Sequence, residues 1–346
     1  MNKLVQHFFL LFLIMFGSNR LVGQKDTILP YELYDEKLVL YTDLGFNSAP
    51  SSITYPFKSD VEKLKLRNNY NALLGLGFSY KWLSFRFSLA VPGASRAKSR
   101  YGTSNYFNFG FDFSLKRFFF DVDLQGNQGY AFKNAYKWND SLNKLKPNII
   151  REDINTFSFS LNTWHFFNDH FKMQPFRGST GAYTKDIQSF YLKYTFNVYS
   201  IYSNEKSIIP YQLIDSTNSK TSAKSVGAVD LGVLPGFAYV KRFNDFQIGA
   251  MGGFGVVVQS KFYKYDNSFR NFIGLAPRYD LKLIAGYNKP KYYVMLVTDF
   301  DNKSFRFNDL IFRQTYYSMR LVGGIRLGID RDKIKLRRIK IFGQEL

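Results

Sequence analysis

The sequence predicts an all-β fold: a transmembrane, antiparallel, up-and-down β-barrel of about 12–14 strands after a cleaved signal peptide. Three observations predict it. Large apolar side chains recur at every second position along most of the chain. No stretch after the N-terminus holds the roughly 18 consecutive apolar residues that a membrane helix needs. The N-terminus itself reads as an export signal, with Lys3, an apolar run from Phe8 to Phe16, and Gly23 as a small cleavage residue. The resulting divisions are 1–23 signal peptide, 24–36 N-terminal periplasmic segment, 37–328 membrane domain and 329–346 basic tail.

Each strand is justified by its alternation. Leu74, Leu76, Phe78 and Tyr80 share one face, while Gly75, Gly77, Ser79 and Lys81 share the other. After a tight turn, Phe85, Phe87 and Leu89 oppose Ser84, Arg86 and Ser88. Phe107, Phe109, Phe111 and Phe113 then oppose Asn108, Gly110, Asp112 and Ser114, and Phe118, Phe120, Val122 and Leu124 oppose Phe119, Asp121, Asp123 and Gln125. The same rule predicts strands at Lys37–Phe46, Thr156–Phe166, Phe171–Arg177, Ser189–Tyr202, Ala228–Val240, Phe246–Phe262, Pro277–Tyr287, Tyr292–Asp301 and Thr315–Gly328. This list is odd in number, whereas single-chain bacterial barrels have even strand numbers, so Lys206–Ile214 is a further candidate. Phe171–Arg177 is the weakest strand, because Pro175 removes a ladder donor. Short turns near Lys81–Ser84, Lys116–Arg117, Phe243–Asp245 and Asn288–Lys291 alternate with long polar connections, among them Tyr263–Ala276 and Asn302–Arg313. Short turns on one side and long loops on the other are the habit of outer-membrane barrels. A secreted β-sandwich would also alternate. Its wet faces would carry long charged side chains, whereas here the polar faces are mostly Gly, Ser, Asn and Asp.

Composition narrows the function classes. The 346 residues include 37 Phe, 25 Tyr and no Cys, with a formal net charge of +20. Without cysteine there is neither a lipid-anchored thiol nor a disulfide framework. The basic balance suggests anionic partners. Export makes nucleic acid improbable, which leaves outer-membrane lipids and lipopolysaccharide, together with the barrel-assembly machinery during biogenesis.

Leu76–Leu83, Val91–Gly93, Tyr101-Gly102 with Tyr106-Phe107, and Leu234–Tyr239 occur in that order. With these motifs the chain resembles a family of outer-membrane barrels of Bacteroidetes-type bacteria, domain of unknown function 4421. The resemblance runs from about Lys37 to near Gly328. It implies a barrel fold and a bacterial outer-membrane location, and no activity.

The candidate functional residues are charges on the small, polar faces: Arg86, Asp112, Asp121, Asp123, Lys193, Asp230, Arg278, Asp280, Lys282, Asp299, Arg320 and Arg326. A lipid-facing Arg or Lys at mid-bilayer costs about 2–4 kcal/mol, so these charges belong inside. There they either line a water-filled pore or pair and plug it. Arg320 and Arg326 on the closing strand are expected to pair with the acids of nearby strands. A second group is the tail, where Arg331, Lys333, Lys335, Arg337, Arg338 and Lys340 surround a single acid, Asp332. Such a segment suits anionic head groups or cell-wall polymer, or remains a solvated tail. His165 and His170 flank a short turn, too few for a metal site and without a marked nucleophile. Asp266-Asn267-Ser268 and Asp299-Phe300-Asp301-Asn302 offer scattered oxygens that read better as loop caps than as calcium ligands. No cofactor motif is present, and no catalytic constellation is expected. Three functions follow: a small channel or porin-like protein, a non-conducting envelope scaffold or surface-binding barrel, and, least favoured, a membrane-embedded lipid enzyme.

Overall fold

A computed structural model describes residues 29–48, 51–57, 61–115, 117–266, 268–328, 340–341 and 344–345. The expected signal peptide and the tail residues Arg331, Lys333, Lys335, Arg337 and Arg338 lie outside the described residues. Lys340 lies in a short hairpin, β17 (Lys340–Ile341) against β18 (Gln344–Glu345).

The alternating segments do form strands. In chain order they are β1 (Tyr31–Leu33), β2 (Lys37–Ser48), β3 (Ser51–Thr54), β4 (Lys63–Arg67), β5 (Leu73–Tyr80), β6 (Leu83–Ala90), β7 (Asn105–Leu115), β8 (Phe118–Phe132), β9 (Ile149–Phe166), β10 (Gly181–Tyr183), β11 (Ile187–Ser203), β12 (Ser225–Phe243), β13 (Phe246–Tyr265), β14 (Ser268–Asn288), β15 (Tyr292–Phe307) and β16 (Leu310–Gly328). Two short helices interrupt them, α1 (Lys98–Tyr101) and α2 (Met173–Arg177). Alternation sorts the faces of β5, β9 and β11 as expected. On β5, Leu74, Leu76 and Phe78 are exposed while Leu73 and Ser79 are buried.

Fourteen strands share one antiparallel sheet, but they do not make the regular up-and-down barrel that the alternation predicts. Two features overturn it. First, the sheet branches. Strand β16 pairs with β2 over Tyr317–Gly328 and, further along, with β3 over Ile311–Gln314. The β3–β4 hairpin then reaches β8 at Phe132 and Ala131, so two strands leave the up-and-down order. Secondly, β14 and β15 are joined only between Asp280–Asn288 and Tyr293–Asp301. Beyond Asp280 and Asp301 they part, and β15 stays paired with β16 to the tip of its hairpin.

Three local expectations also change. Phe171–Arg177 is not a strand. Its chain turns inward and ends in α2, which buries Met173, Pro175 and Phe176. The proline that weakens it as a strand sits within one short helical turn. Lys206–Ile214 holds only a helical turn at Tyr211–Leu213, and Ile208, Ile209 and Leu213 pack into a core. The polar stretches 263–276 and 302–313, expected as long loops, are largely strand.

Two hydrophobic clusters close the ends of the space that the sheet wraps. At the loop end, Ile53, Leu64 and Leu66 of the β3–β4 hairpin meet Ile208 and Leu213 and the β15–β16 tip residues Phe305, Phe307, Leu310 and Phe312. At the turn end, Phe171, Met173 and Phe176 meet Val39, Trp164, Tyr191 and Tyr293. Strand β1 pairs with β10 over this second cluster.

Candidate functional site

Between the two clusters lies a cavity of about 210 Å³ lined by charged residues from strands all round the sheet and by Arg177 of α2. Small residues of the inner faces make room for it. The Tyr191 ring lies against Gly236, and the Tyr293 ring against Gly324, where any Cβ would overlap the ring. This is why glycine recurs on the inward parity of these strands.

The interior charges are organised as pairs. Arg86 grips Asp43 with Nε to Oδ2 at 2.7 Å and Nη2 to Oδ1 at 2.8 Å. Asp43 is 1 % exposed. The same guanidinium donates to Asn108 Oδ1 at 2.8 Å, and Asn108 donates to Asp123 Oδ2 at 2.7 Å. Such a bidentate fork suits planar arginine and no lysine. Asp299 receives Lys282 on one oxygen and Arg320 on the other, the latter at 2.9 Å. Lys193 lies 3.5 Å from Asp280 and 5.1 Å from the centre of the Trp164 ring. Nearer the loop end, Arg278 pairs with Asp230, and Gln259 donates to the second Asp230 oxygen at 3.0 Å. Tyr199 accepts from Arg278 at 2.6 Å.

The turn-end insert supplies a further cation. Arg177 donates to Asp112 at 2.6 Å and to Asp121 at 2.7 Å, bridging two neighbouring strands. Its guanidinium lies 4.8 Å from the Phe119 ring centre. Burial works against the charge of Arg177, yet Asp112 and Asp121 outweigh it and hold the guanidinium above its ordinary pKa.

The structure therefore brings nine sequence-derived candidates to the cavity, Arg86, Asp112, Asp121, Asp123, Lys193, Asp280, Lys282, Asp299 and Arg320, while Asp230 and Arg278 form a separate buried pair. Arg326 departs from expectation. It meets no acid among the described residues, and instead donates to the Gly178 carbonyl at 2.6 Å, the Ser179 carbonyl at 2.8 Å and Asn288 Oδ1 at 2.7 Å. Stacked on Tyr34 at 4.3 Å and Tyr293 at 5.0 Å, it pins the insert after α2 to the closing strand. Arg320 does pair, but with Asp299 of the adjacent strand rather than with the acids of β7 or β8.

Sequence reading missed Asp43, Arg177 and Lys303. Lys303 donates to Ser158 and Ser160, each at 2.8 Å. Asp43 lies within a recognised strand on the inward parity of Val39, a signal that alternation supplied. Arg177 and Lys303 lie in segments that fold inward, which alternation does not encode. The oxygens of Asp299 serve cations of the chain itself, and no cluster able to hold a metal occurs among the described residues. His165 stacks on Phe118, with ring centres 4.8 Å apart, as a surface ring.

The model of the family "Domain of unknown function (DUF4421)" matches residues 36–326. The chain belongs to the DUF4421 family. No curated protein matches it. Among solved structures, this DUF4421 chain is similar to the outer membrane protease OmpT from Escherichia coli, at 9 % identity and a TM-score of 0.38, covering 86 % of this chain and 98 % of that one. It is also similar to the translocator domain of the autotransporter NalP from Neisseria meningitidis, at 11 % identity and a TM-score of 0.35, covering 84 % and 88 %. The β domain of the Bordetella autotransporter BrkA gives 8 % identity and a TM-score of 0.33, covering 85 % and 100 %.

Proposed function

We propose that this DUF4421 protein is a non-conducting protein of the bacterial outer membrane, whose interior charges hold the fold together rather than select ions. The observation that carries the reading is the pair of hydrophobic clusters at the two ends of the interior, with a cavity of about 210 Å³ between them. Packed apolar side chains at both ends, rather than a wide polar lumen, are what a plugged interior requires. Membrane location draws support from the outer face of the sheet. Leu76, Leu231 and Phe254 are each more than 60 % exposed, and similar side chains continue on β2, β6, β7, β14, β15 and β16. So much exposed apolar surface on a single chain is characteristic of a protein that contacts lipid. Its lipid partners include lipopolysaccharide, whose phosphates suit the basic balance of the chain.

The test is electrical. Purified protein inserted into planar lipid bilayers is expected to give no steady single-channel steps. A stable open conductance whose cation preference shifts in Arg320→Gln, with unfolding in detergent unchanged, would replace this reading with the small channel.

A further inference from the structure

The split between β14 and β15 separates two edges that still match. Alternate residues of an antiparallel strand turn their backbone groups to opposite neighbours. On β14, those of Phe269, Asn271, Ile273 and Leu275 turn toward the split, as does Pro277, which has no N–H to lose. None of these edge backbone groups has a hydrogen-bond partner among the described residues. On β15 the opposite edge is occupied by side chains. The Asn302 carbonyl accepts from Arg278, the Ser304 carbonyl from Gln259 at 3.0 Å and Tyr199 at 3.3 Å, and the Arg306 carbonyl from Lys261. Interior side chains thus stand where a neighbouring strand is missing, and they hold the β15–β16 tip inward with Phe305 and Phe307 in the loop-end cluster.

We infer that the β15–β16 tip is a hinged lid over the interior cavity, which opens by exchanging these side-chain contacts for backbone pairing with β14. The register is already set. Continuing from Asp280 opposite Asp301 places Pro277 opposite Ser304 and Leu275 opposite Arg306. The exchange satisfies the open edge of β14, whose unpaired groups are costly wherever lipid rather than water meets them. It withdraws Phe305 and Phe307 from the cluster that seals the loop end, and so admits water and small polar solutes to the charged cavity. Both arrangements keep the tip carbonyls bonded, which is what a two-state element requires. The inference rests on the sealed interior proposed above.

The chain has no cysteine, so introduced pairs report without background. Leu275→Cys with Arg306→Cys, both at exposed positions, is expected to form an intramolecular disulfide under mild oxidation, because paired strands bring such residues to about 5.5 Å between Cα atoms. The offset pair Ile273→Cys with Arg306→Cys is expected to remain reduced. In a background carrying Trp82→Phe and Trp138→Phe, the remaining Trp164 lines the cavity. Cross-linking is expected to remove its protection from iodide quenching, and reductant to restore it. Equal cross-linking of both pairs, no cross-linking of the first, or dimers linked through the single variants would overturn the lid. So would a cross-linked protein in which Trp164 stays protected. Conductance of the unmodified protein would instead remove the sealed reading, which keeps the two failures apart.

Discussion

Asp43 shows most clearly what a single interior charge does. It is 1 % exposed and meets both arms of Arg86. Asp43→Asn leaves that guanidinium without its counter-charge, and breaking a buried pair of this kind costs about 3–5 kcal/mol. Unfolding in detergent is expected to shift accordingly. Arg320→Gln is expected to cost less, on the order of 1–2 kcal/mol, because Lys282 remains on Asp299. Equal losses in the two variants would mean that the pairs act as one continuous network. Gly236 gives a complementary steric test. Gly236→Val drives a side chain into the Tyr191 ring, so poor assembly is expected, while Gly323→Val, with open space around it, is expected to be tolerated.

Individual strands were legible wherever one face meets the outside and the other the interior. The parity of Leu74, Leu76 and Phe78, or of Asp121 and Asp123, follows from the two-residue period alone. What that period does not encode is chain that leaves the wall. The segment 167–186 turns inward and buries Phe171, Met173 and Phe176, and the 302–313 tip buries Phe305, Phe307, Leu310 and Phe312 between polar residues, so one reads as a weak strand and the other as a polar loop. Arg177 was hidden by the first and Lys303 by the second. The pairing partners of the interior charges were likewise illegible, because they depend on which strands adjoin. Arg177→Gln tests the role of the insert. Asp112 and Asp121 are then left side by side without their shared cation. The expected result is a less stable protein whose turn end becomes accessible to protease before the strands unfold. The outer parity has its own test: Phe111→Arg is expected to impair membrane assembly far more than Gly110→Ser, since Gly110 has room for a small side chain and Phe111 lies on the apolar parity. Equal tolerance would show that the outer face does not meet lipid.

For the molecule as a whole, alternation correctly predicted an all-β chain and failed on how its strands assemble. A period of two specifies faces, not neighbours, so neither the β3–β4 branch nor the parted β14–β15 seam could be read in advance. Fractionation tests the location. The protein is expected in the detergent-extracted outer-membrane fraction. Recovery in periplasmic or culture fluid after high-salt washing would remove the membrane reading.

The branch at β16 also dictates an order of events. Strands β2 and β3, close to the beginning of the chain, pair on one edge with β5 and β4, but find the neighbour of their other edge only in the strand that runs from Leu310 to Gly328. Synthesis proceeds from the other end, so these early strands must wait, each with one edge bare, until nearly the whole polypeptide has emerged. Contacts so distant along the sequence are slow to form and leave the waiting chain prone to mispairing. A chain truncated before Leu310 therefore leaves two strands with an open edge at once, and is expected to accumulate as a protease-sensitive intermediate rather than as a slightly smaller version of the native protein.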